Sequence, residues 1–530
     1  MRKKFILSIF LIFSTEILFF QFWTPGLWSI IILAPYILIG LYDITQTNHA
    51  ILRNFPVFGW GRYLMEALRP KIYQYFIESD IDGRPIGRIF RSLIYQRAKG
   101  EISTSPFGTQ LDVNAPGYEW MNHSINAKDI NQMPKDIRTI VGGKDCKKKY
   151  DASIFNISAM SYGSLSKNAI EALNKGAKID NFAHNTGEGG LSQYHLKHNG
   201  DLIWQIGTGY FGCRDEKGHF NDDDFQKNAS LDSVKMIELK LSQGAKPGHG
   251  GILPAGKNTP EIAKIRGVKP YTEIVSPPYH TAFSTPLELI HFIKKLRNLS
   301  NGKPVGFKLC VGSKIEFLSI CKAMNELDTY PDFISVDGGE GGTGAAPLEY
   351  ANSIGMPLND GLSFVSDCLN GFDIKKHIKI IASGKVITGF HVIKNISLGA
   401  DMVNSARGMM MALGCIQALE CNKNICPTGI ATQNPELMNG LVVKDKSERV
   451  ANYHRETVHS VIDLLSATGH NAIEELTRYD MNRRISQMGV RRFDEIYPIV
   501  DIGDFNNNKI PAAFKNDFNL ATADSFIPSK

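Results

Sequence analysis

The chain has 530 residues, 43% of them hydrophobic and 21% charged, a composition that excludes a disordered chain and suits either one large barrel with attachments or two to three ordinary domains. A formal charge of +6 is small for that length, and no basic run is interleaved with aromatic residues, so nucleic acid is not an expected partner. Of the 8 cysteines, Cys146, Cys213, Cys310, Cys321 and Cys368 are scattered singly and the rest are bunched, a pattern unlike a disulfide framework that points to a reducing compartment.

From the start of the chain, residues 5–23 are apolar apart from Glu16 and small polar groups, and residues 23–42 carry no charge and are interrupted only by Pro25 and Pro35. Each stretch approaches the ~20 residues that cross a bilayer. The turn Thr24-Pro25-Gly26 between them implies a transmembrane helical hairpin, with Phe22, Trp23, Trp28 and Tyr42 suited to its interfaces. Arg2, Lys3 and Lys4 precede it and Arg53, Arg62, Arg69 and Lys71 follow, so both ends and the catalytic body are expected on the cytoplasmic side of the inner, cytoplasmic membrane. A cleaved signal peptide and a buried core hairpin are the rival readings. The first lacks a small-residue cleavage site before the second apolar stretch. Glu16, costly in hydrocarbon unless protonated or paired, is the residue that speaks against a span. Residues 46–150 are a mixed, arginine-rich segment expected to wrap the catalytic body.

From about residue 153 onward, short β-rich apolar runs alternate with amphipathic helical stretches, the pattern of parallel strands with helical crossovers. The runs 153–158, 181–184, 235–241, 271–276, 305–311, 332–337, 379–383 and 401–404 are the candidate strands. Stretches 167–178, 286–299, 314–327 and 389–398 carry apolar residues at helical spacing. Eight such units in about 250 residues make a (β/α)8 TIM barrel, so the expected fold class is α/β. The stretch 203–212 reads as an insertion rather than a strand. The domains expected are the hairpin over 1–45, the wrapping segment over 46–150, the barrel over 151–480 and a tail over 481–530, loosely held beyond about residue 500.

In such a barrel the chemistry sits in loops at the C-terminal ends of the strands. Three of these are rich in glycine: Asn185-Thr186-Gly187-Glu188-Gly189-Gly190, Lys246-Pro247-Gly248-His249-Gly250-Gly251 and Asp337-Gly338-Gly339-Glu340-Gly341-Gly342-Thr343-Gly344. Glycine lets the main chain lie against the face and edge of a flat ring such as a flavin. Lys308, a charge between Phe307 and Leu309 inside a strand, either points inward to the N1–O2 edge of that ring or snorkels outward. The loops Ala382-Ser383-Gly384-Lys385 and Asn404-Ser405-Ala406-Arg407-Gly408 suit a phosphate, with Lys385 and Arg407 complementing its charge, although such pairs also make ordinary tight turns. Cys415-x5-Cys421-x4-Cys426-Pro427 has the close spacing and trailing proline of ferredoxin-type iron–sulfur sites. Three thiolates suit three irons; a zinc site wants a fourth ligand, and buried thiols are the bland alternative.

The runs Met160-Ser161-Tyr162-Gly163-Ser164, 185–190, Gln243-Gly244-Ala245-Lys246-Pro247-Gly248, Ser276-Pro277-Pro278, Gly341-Gly342-Thr343-Gly344-Ala345 and Cys426-Pro427-Thr428-Gly429-Ile430-Ala431-Thr432-Gln433 resemble the FMN-binding synthase domain of glutamate synthase, in consistent order over residues 140–440. The resemblance implies FMN, and a three-iron, four-sulfur ([3Fe-4S]) cluster on Cys415, Cys421 and Cys426. It implies that reduced flavin delivers hydride to 2-iminoglutarate, formed from 2-oxoglutarate and ammonia, giving L-glutamate, while the cluster passes electrons singly. Carried over by position, Lys246 and Arg266 clamp the two carboxylates of the substrate, which needs two separated cations. Ser161, Lys308, Gly339, Gly341 and Gly342 then contact the flavin, and Ser383, Gly384, Lys385, Arg407 and Gly408 cradle its phosphate.

The chain departs from the large members of that family. It starts Met1-Arg2-Lys3-Lys4 rather than with the cysteine of a glutaminase domain, and no glycine-rich solenoid follows the barrel, so the shorter stand-alone form is expected, using ammonia or glutamine-derived nitrogen. No Rossmann-type fingerprint for NAD(P)H is evident, which makes ferredoxin or a separate reductase the expected electron donor. His249 and Ile252 stand where the large enzymes carry an acidic residue and an amide, which opens a different 2-oxo or amino acid as substrate. A membrane-bound electron-transfer subunit is the third reading; a carboxylate clamp of Lys246 and Arg266 speaks against it.

Overall fold

The computed structural model describes residues 1–529 in two compact units, Met1–Arg88 and a larger one beginning at Ile89. In the first, helices Arg2–Phe22 and Ile30–Thr45 are joined by the short 3-10 turn Thr24–Ser29. They close because Gly40 offers no side chain: a Cβ there would overlap the Phe5 ring, which packs 5.3 Å from that of Tyr36. Ser29 Oγ donates to Glu16, which gives the one carboxylate of the first helix a partner. The spans Arg2–Phe22 and Thr24–Thr45 are long and apolar enough to cross a membrane, and Phe10, Phe20 and Ile32 point outward.

The second unit is built on a closed barrel of eight parallel strands. We number them β1 (Phe155–Ile157), β2 (His184–Asn185), β3 (Leu202–Ile206), β4 (Val234–Lys240), β5 (Val305–Leu309), β6 (Phe333–Asp337), β7 (Lys379–Ser383) and β8 (Met402–Ser405). Neighbours in sequence are neighbours in the ring, and Val403 of β8 pairs with Phe155 of β1 to shut it. Period-two alternation sorts each strand into an outer and an inner face. On β3, Trp204 turns outward to stack 5.3 Å from Phe225 of the helix Asp222–Ala229, while the adjacent Gln205 turns inward. On β4, Ile237 and Leu239 face the helices; Glu238 points inside and accepts from Asn185 Nδ2 at 2.8 Å and Gln205 Nε2 at 2.6 Å. The barrel centre is thus polar, and every member of that network has a partner, as a dry interior requires.

The crossover helices begin where the sequence supplies caps. Ser166 caps Lys167–Ile179, and Thr285 with Glu288 makes a capping box at Pro286–Leu299. The antiparallel hairpin Arg138–Val141 and Tyr150–Ser153 lies at the opposite end from the site: Gly143 N donates to Asp332 and Thr139 Oγ1 to the Asp401 carbonyl, both just before barrel strands.

Three expectations are corrected. The stretch 203–212 is not an insertion, since its first residues belong to β3; an inward Gln205 in a polar interior breaks the apolar run by which strands are recognised. The run 271–276 is not a barrel strand: only Ile274–Val275 is extended, and it pairs antiparallel with Ile252–Leu253 in the loop between β4 and β5. The C-terminal tail is not loosely held. Phe505 is buried against Gly371 and Phe372, the helix Ala512–Leu520 stacks Phe514 on Phe364, and Lys322 Nζ donates to the carbonyls of Phe518 and Ala521.

Candidate functional site

At the C-terminal mouth of the barrel lies a cavity of about 940 Å³, counting its open entrance. Its walls come from the segment after β1 (Met160, Ser161), the loop after β2 (Gly187, Glu188), the end of β4 and its loop (Lys240, Lys246), the loop after β6 (Gly342, Ala345), Arg407 after β8, and Cys421. Its charge suits an anion. Glu188 pairs with Lys240 at 2.8 Å, whereas Lys246, Lys257 and Arg407 form no ion pair among the described residues and donate instead to backbone carbonyls.

Burial tunes these groups. The Lys246 ammonium, 2% exposed and donating to the Ala345 carbonyl at 3.0 Å, is pushed down to about 8 by desolvation, with Glu188 opposing and Lys240 reinforcing the shift. Burial alone would raise the Glu188 carboxyl, but Lys240, Lys246 and Arg266 together hold it below the usual range. Below the mouth, Lys308 points inward to Asp337 at 3.1 Å, and Asp337 and Glu238 outweigh desolvation to keep it protonated.

The residues singled out in the sequence do not all reach the cavity. Ser161, Lys246, Gly342, Arg407 and Cys421 line it. Arg266, the last residue of the helix Pro260–Arg266, lies behind the loops: its guanidinium sits 5.2 Å over the Phe211 ring, Nη2 donates to the Tyr162 carbonyl at 3.2 Å, and a Cβ on Gly189 would come within 2.9 Å of it. Gly339 and Gly341 pack on the chain's own backbone, at Gly355 and Gly338, and Gly408 on the Tyr453 hydroxyl. Ser383 Oγ meets Ser158 Oγ at 3.3 Å, while Gly384 (φ 156°) and Lys385 (φ 51°) form the turn that follows β7.

The three cysteines share one neighbourhood, since the charges of Cys421 and Cys426 act on the Cys415 thiol, which burial raises. Cys426 is held below the ordinary thiol value despite burial, because the Thr428 hydroxyl and the backbone N–H groups of Ala431, Thr428 and Ile430 stabilise its thiolate. Among the described residues no three such side chains stand close enough to hold a metal. The three sulfurs and the N–H and O–H donors around one of them thus supply the ligand chemistry an iron–sulfur group would use, but not its gathered geometry.

Three functional residues escaped the sequence reading. Glu188 and Lys240 were legible only as a loop acid and a strand-end lysine, although charges at alternate positions of the apolar run 235–240 were a signal of an inward face. Lys257, 2% exposed, donates to the carbonyls of Ser164, Cys421 and Ala431 at 3.0, 2.7 and 2.8 Å, tying the cysteine loop to the cavity wall. Nothing distinguishes it in sequence from a surface lysine.

The fold and site define a class: (β/α)8 barrels with a cation-lined cavity at the strand C-termini and a cysteine loop in its wall. Residues 120–471 match the family model described as the conserved region in glutamate synthase. The chain is 37% identical over 484 residues to the glutamate synthase large subunit-like protein YerD of Bacillus subtilis, covering 83% of this chain and 92% of that one. It is 34% identical over 361 residues to an archaeal glutamate synthase (NADPH) of Methanocaldococcus jannaschii, covering 68% of this chain and 66% of that one. Among solved structures, the flavin-binding domain of baker's yeast flavocytochrome b2 matches with a TM-score of 0.42 at 13% identity, covering 85% of this chain and 90% of that one. The chain belongs to the glutamate synthase family.

Proposed function

We propose that the protein is a glutamate-synthase-type oxidoreductase that reductively aminates a 2-oxo acid at the barrel mouth, with FMN in the cavity and a three-iron, four-sulfur cluster on Cys415, Cys421 and Cys426. One observation carries the reading: Ser161, Lys246, Arg407 and Cys421, drawn from three separate parts of the chain, line a single cavity. Family membership supports it. When bound, the flavin supplies hydride and the cluster supplies single electrons.

The chain's own residues do the rest. Lys246 in the wall binds one carboxylate of the substrate, while Arg266, packed behind Gly163 and Gly189 and donating to the Tyr162 carbonyl, supports that wall without touching the substrate. Lys308, kept charged by Asp337 and Glu238, favours negative charge on a ring seated above it. Arg407 and the turn at Ser383–Lys385 receive the phosphate. The substrate is 2-oxoglutarate with ammonia or glutamine-derived nitrogen, and electrons come from ferredoxin or a separate reductase. The hairpin anchors the enzyme to the cytoplasmic membrane with the barrel on the cytoplasmic side. Ile252, an apolar group in the cavity wall, favours a second reading, in which a less polar 2-oxo acid is the substrate.

Cofactor content tests the assignment. Protein purified without oxygen is expected to hold FMN and about three irons per chain, and Cys421→Ser to lose the iron while keeping the flavin. Iron-free wild-type protein with a full complement of flavin would overturn the cluster; protein that cannot be loaded with FMN would overturn the whole proposal.

A further inference from the structure

The first unit carries a surface that the reaction does not use. After the hairpin come the helices Ala50–Asn54 and Gly59–Ile72, the second running on through Tyr73–Ile77. Trp60, Leu64, Leu68 and Ile72 recur every fourth residue and share one side of the helix; Arg62, Glu66 and Arg69 share the other. The apolar side is bare, with Trp60 46%, Leu64 56% and, just beyond the helix, Phe76 84% exposed. Large apolar side chains exposed together along one side of a helix are unfavourable in water and mark a site of association. The cations Arg53, Arg62 and Arg69 flank it and Lys71 stands within its last turn, against the single helical acid Glu66, whose exposed pairing with Arg62 at 2.8 Å is worth little in water.

This helix does not hang free of the hairpin. Asp43, near the end of the second apolar helix and itself fully buried, accepts from the Val57 backbone N–H at 2.8 Å and from Trp60 Nε1 at 3.1 Å. Two hydrogen bonds to one carboxylate fix the start of the amphipathic helix against the end of the apolar one. Between the two, Leu38, Ile39, Tyr42 and Trp60 line an apolar groove of about 590 Å³, counting its open side.

We infer that residues 50–77 lie in the headgroup layer of an anionic bilayer, with Arg62, Arg69 and Lys71 on phospholipid phosphates and the groove beside Trp60 taking an acyl chain. The inference rests on the reading of the hairpin as a membrane anchor. Charge and continuity select lipid over a protein partner. Cations beside a broad apolar face match an anionic headgroup above hydrocarbon, and the groove joins that face directly to the apolar hairpin. Trp60, Tyr73 and Tyr75 have the amphipathic rings that favour this depth.

Photolabelling of the full-length protein in nanodiscs of phosphatidylglycerol, doped with a phospholipid bearing an acyl-chain diazirine, tests this. Mass spectrometry should map lipid adducts both to residues 2–45 and to residues 59–77. The triple variant Arg62→Gln, Arg69→Gln, Lys71→Gln should lose at least about fivefold of the adducts over 59–77, the effect of one such charge, while keeping those on the hairpin. Adducts on the hairpin and none over 59–77 overturn the inference but leave the anchor standing. Adducts on neither overturn both, and an unchanged yield in the triple variant overturns the headgroup contact.

Discussion

Lys246 shows how one residue's surroundings set its task. A lysine whose folded pKa drops from 10.5 to about 8 binds its proton more weakly than in the unfolded chain, so its charge costs stability at neutral pH, and stability rises as pH climbs from about 8 to 10.5. In the proposed reaction this cation meets a carboxylate of the substrate. The rate constant kcat/KM for a 2-oxo dicarboxylate should therefore fall as pH rises through about 8, and Lys246→Arg, which stays charged, should move that limb upward. Lys257 is pushed to about 8 as well, so an unmoved limb in Lys246→Arg would reassign the titration to Lys257. Lys246→Met should lower kcat/KM roughly 10- to 100-fold, the loss of one charge-assisted hydrogen bond of about 1.5–3 kcal/mol, with flavin content unchanged. An unaltered rate would remove Lys246 from the substrate site.

Among elements, β5 to β8 were legible because each is a short, largely apolar run between a helix and a glycine-bearing loop, despite polar residues such as Lys308, Ser335 and Asn404 within them. β3 was not, because a barrel whose centre is a hydrogen-bonded polar network places glutamine where a strand pattern expects leucine. The same physics hid the surroundings of Lys308: its ion-pair partner Asp337 and the nearby Glu238, which accepts from Ser335, meet it only when the ring closes. Loop identity was readable, while which loop residues face the cavity was not, since Gly339 and Gly341 serve backbone packing and Gly342 serves the wall. The C-terminal segment was misread for its polar composition, although its phenylalanines fall at sparse positions that dock on the helices Leu358–Gly371 and Lys314–Leu327. Phe505→Ala should consequently cost about 3–5 kcal/mol, read as a shift in the denaturation midpoint. A change below about 0.5 kcal/mol, as for a surface site, would return the tail to a loosely held state.

On the scale of the whole molecule, the first unit carries two helices long and apolar enough to cross a membrane, and the second a barrel with a polar centre. Removing residues 2–77, the hairpin together with the helix inferred to lie on the bilayer, should move the protein from the membrane to the soluble fraction while leaving turnover with an artificial reductant within about twofold; continued sedimentation with membranes in high salt would contradict the anchor. The central claim concerns the barrel mouth, and product formation there tests it most directly. Protein loaded with FMN, reduced by dithionite without oxygen and given ammonia with a panel of 2-oxo acids, should form L-glutamate from 2-oxoglutarate, or the corresponding amino acid from one member of the panel, and Lys246→Met should suppress it. Flavin that stays reduced with every 2-oxo acid, with no amino acid formed, would contradict the account.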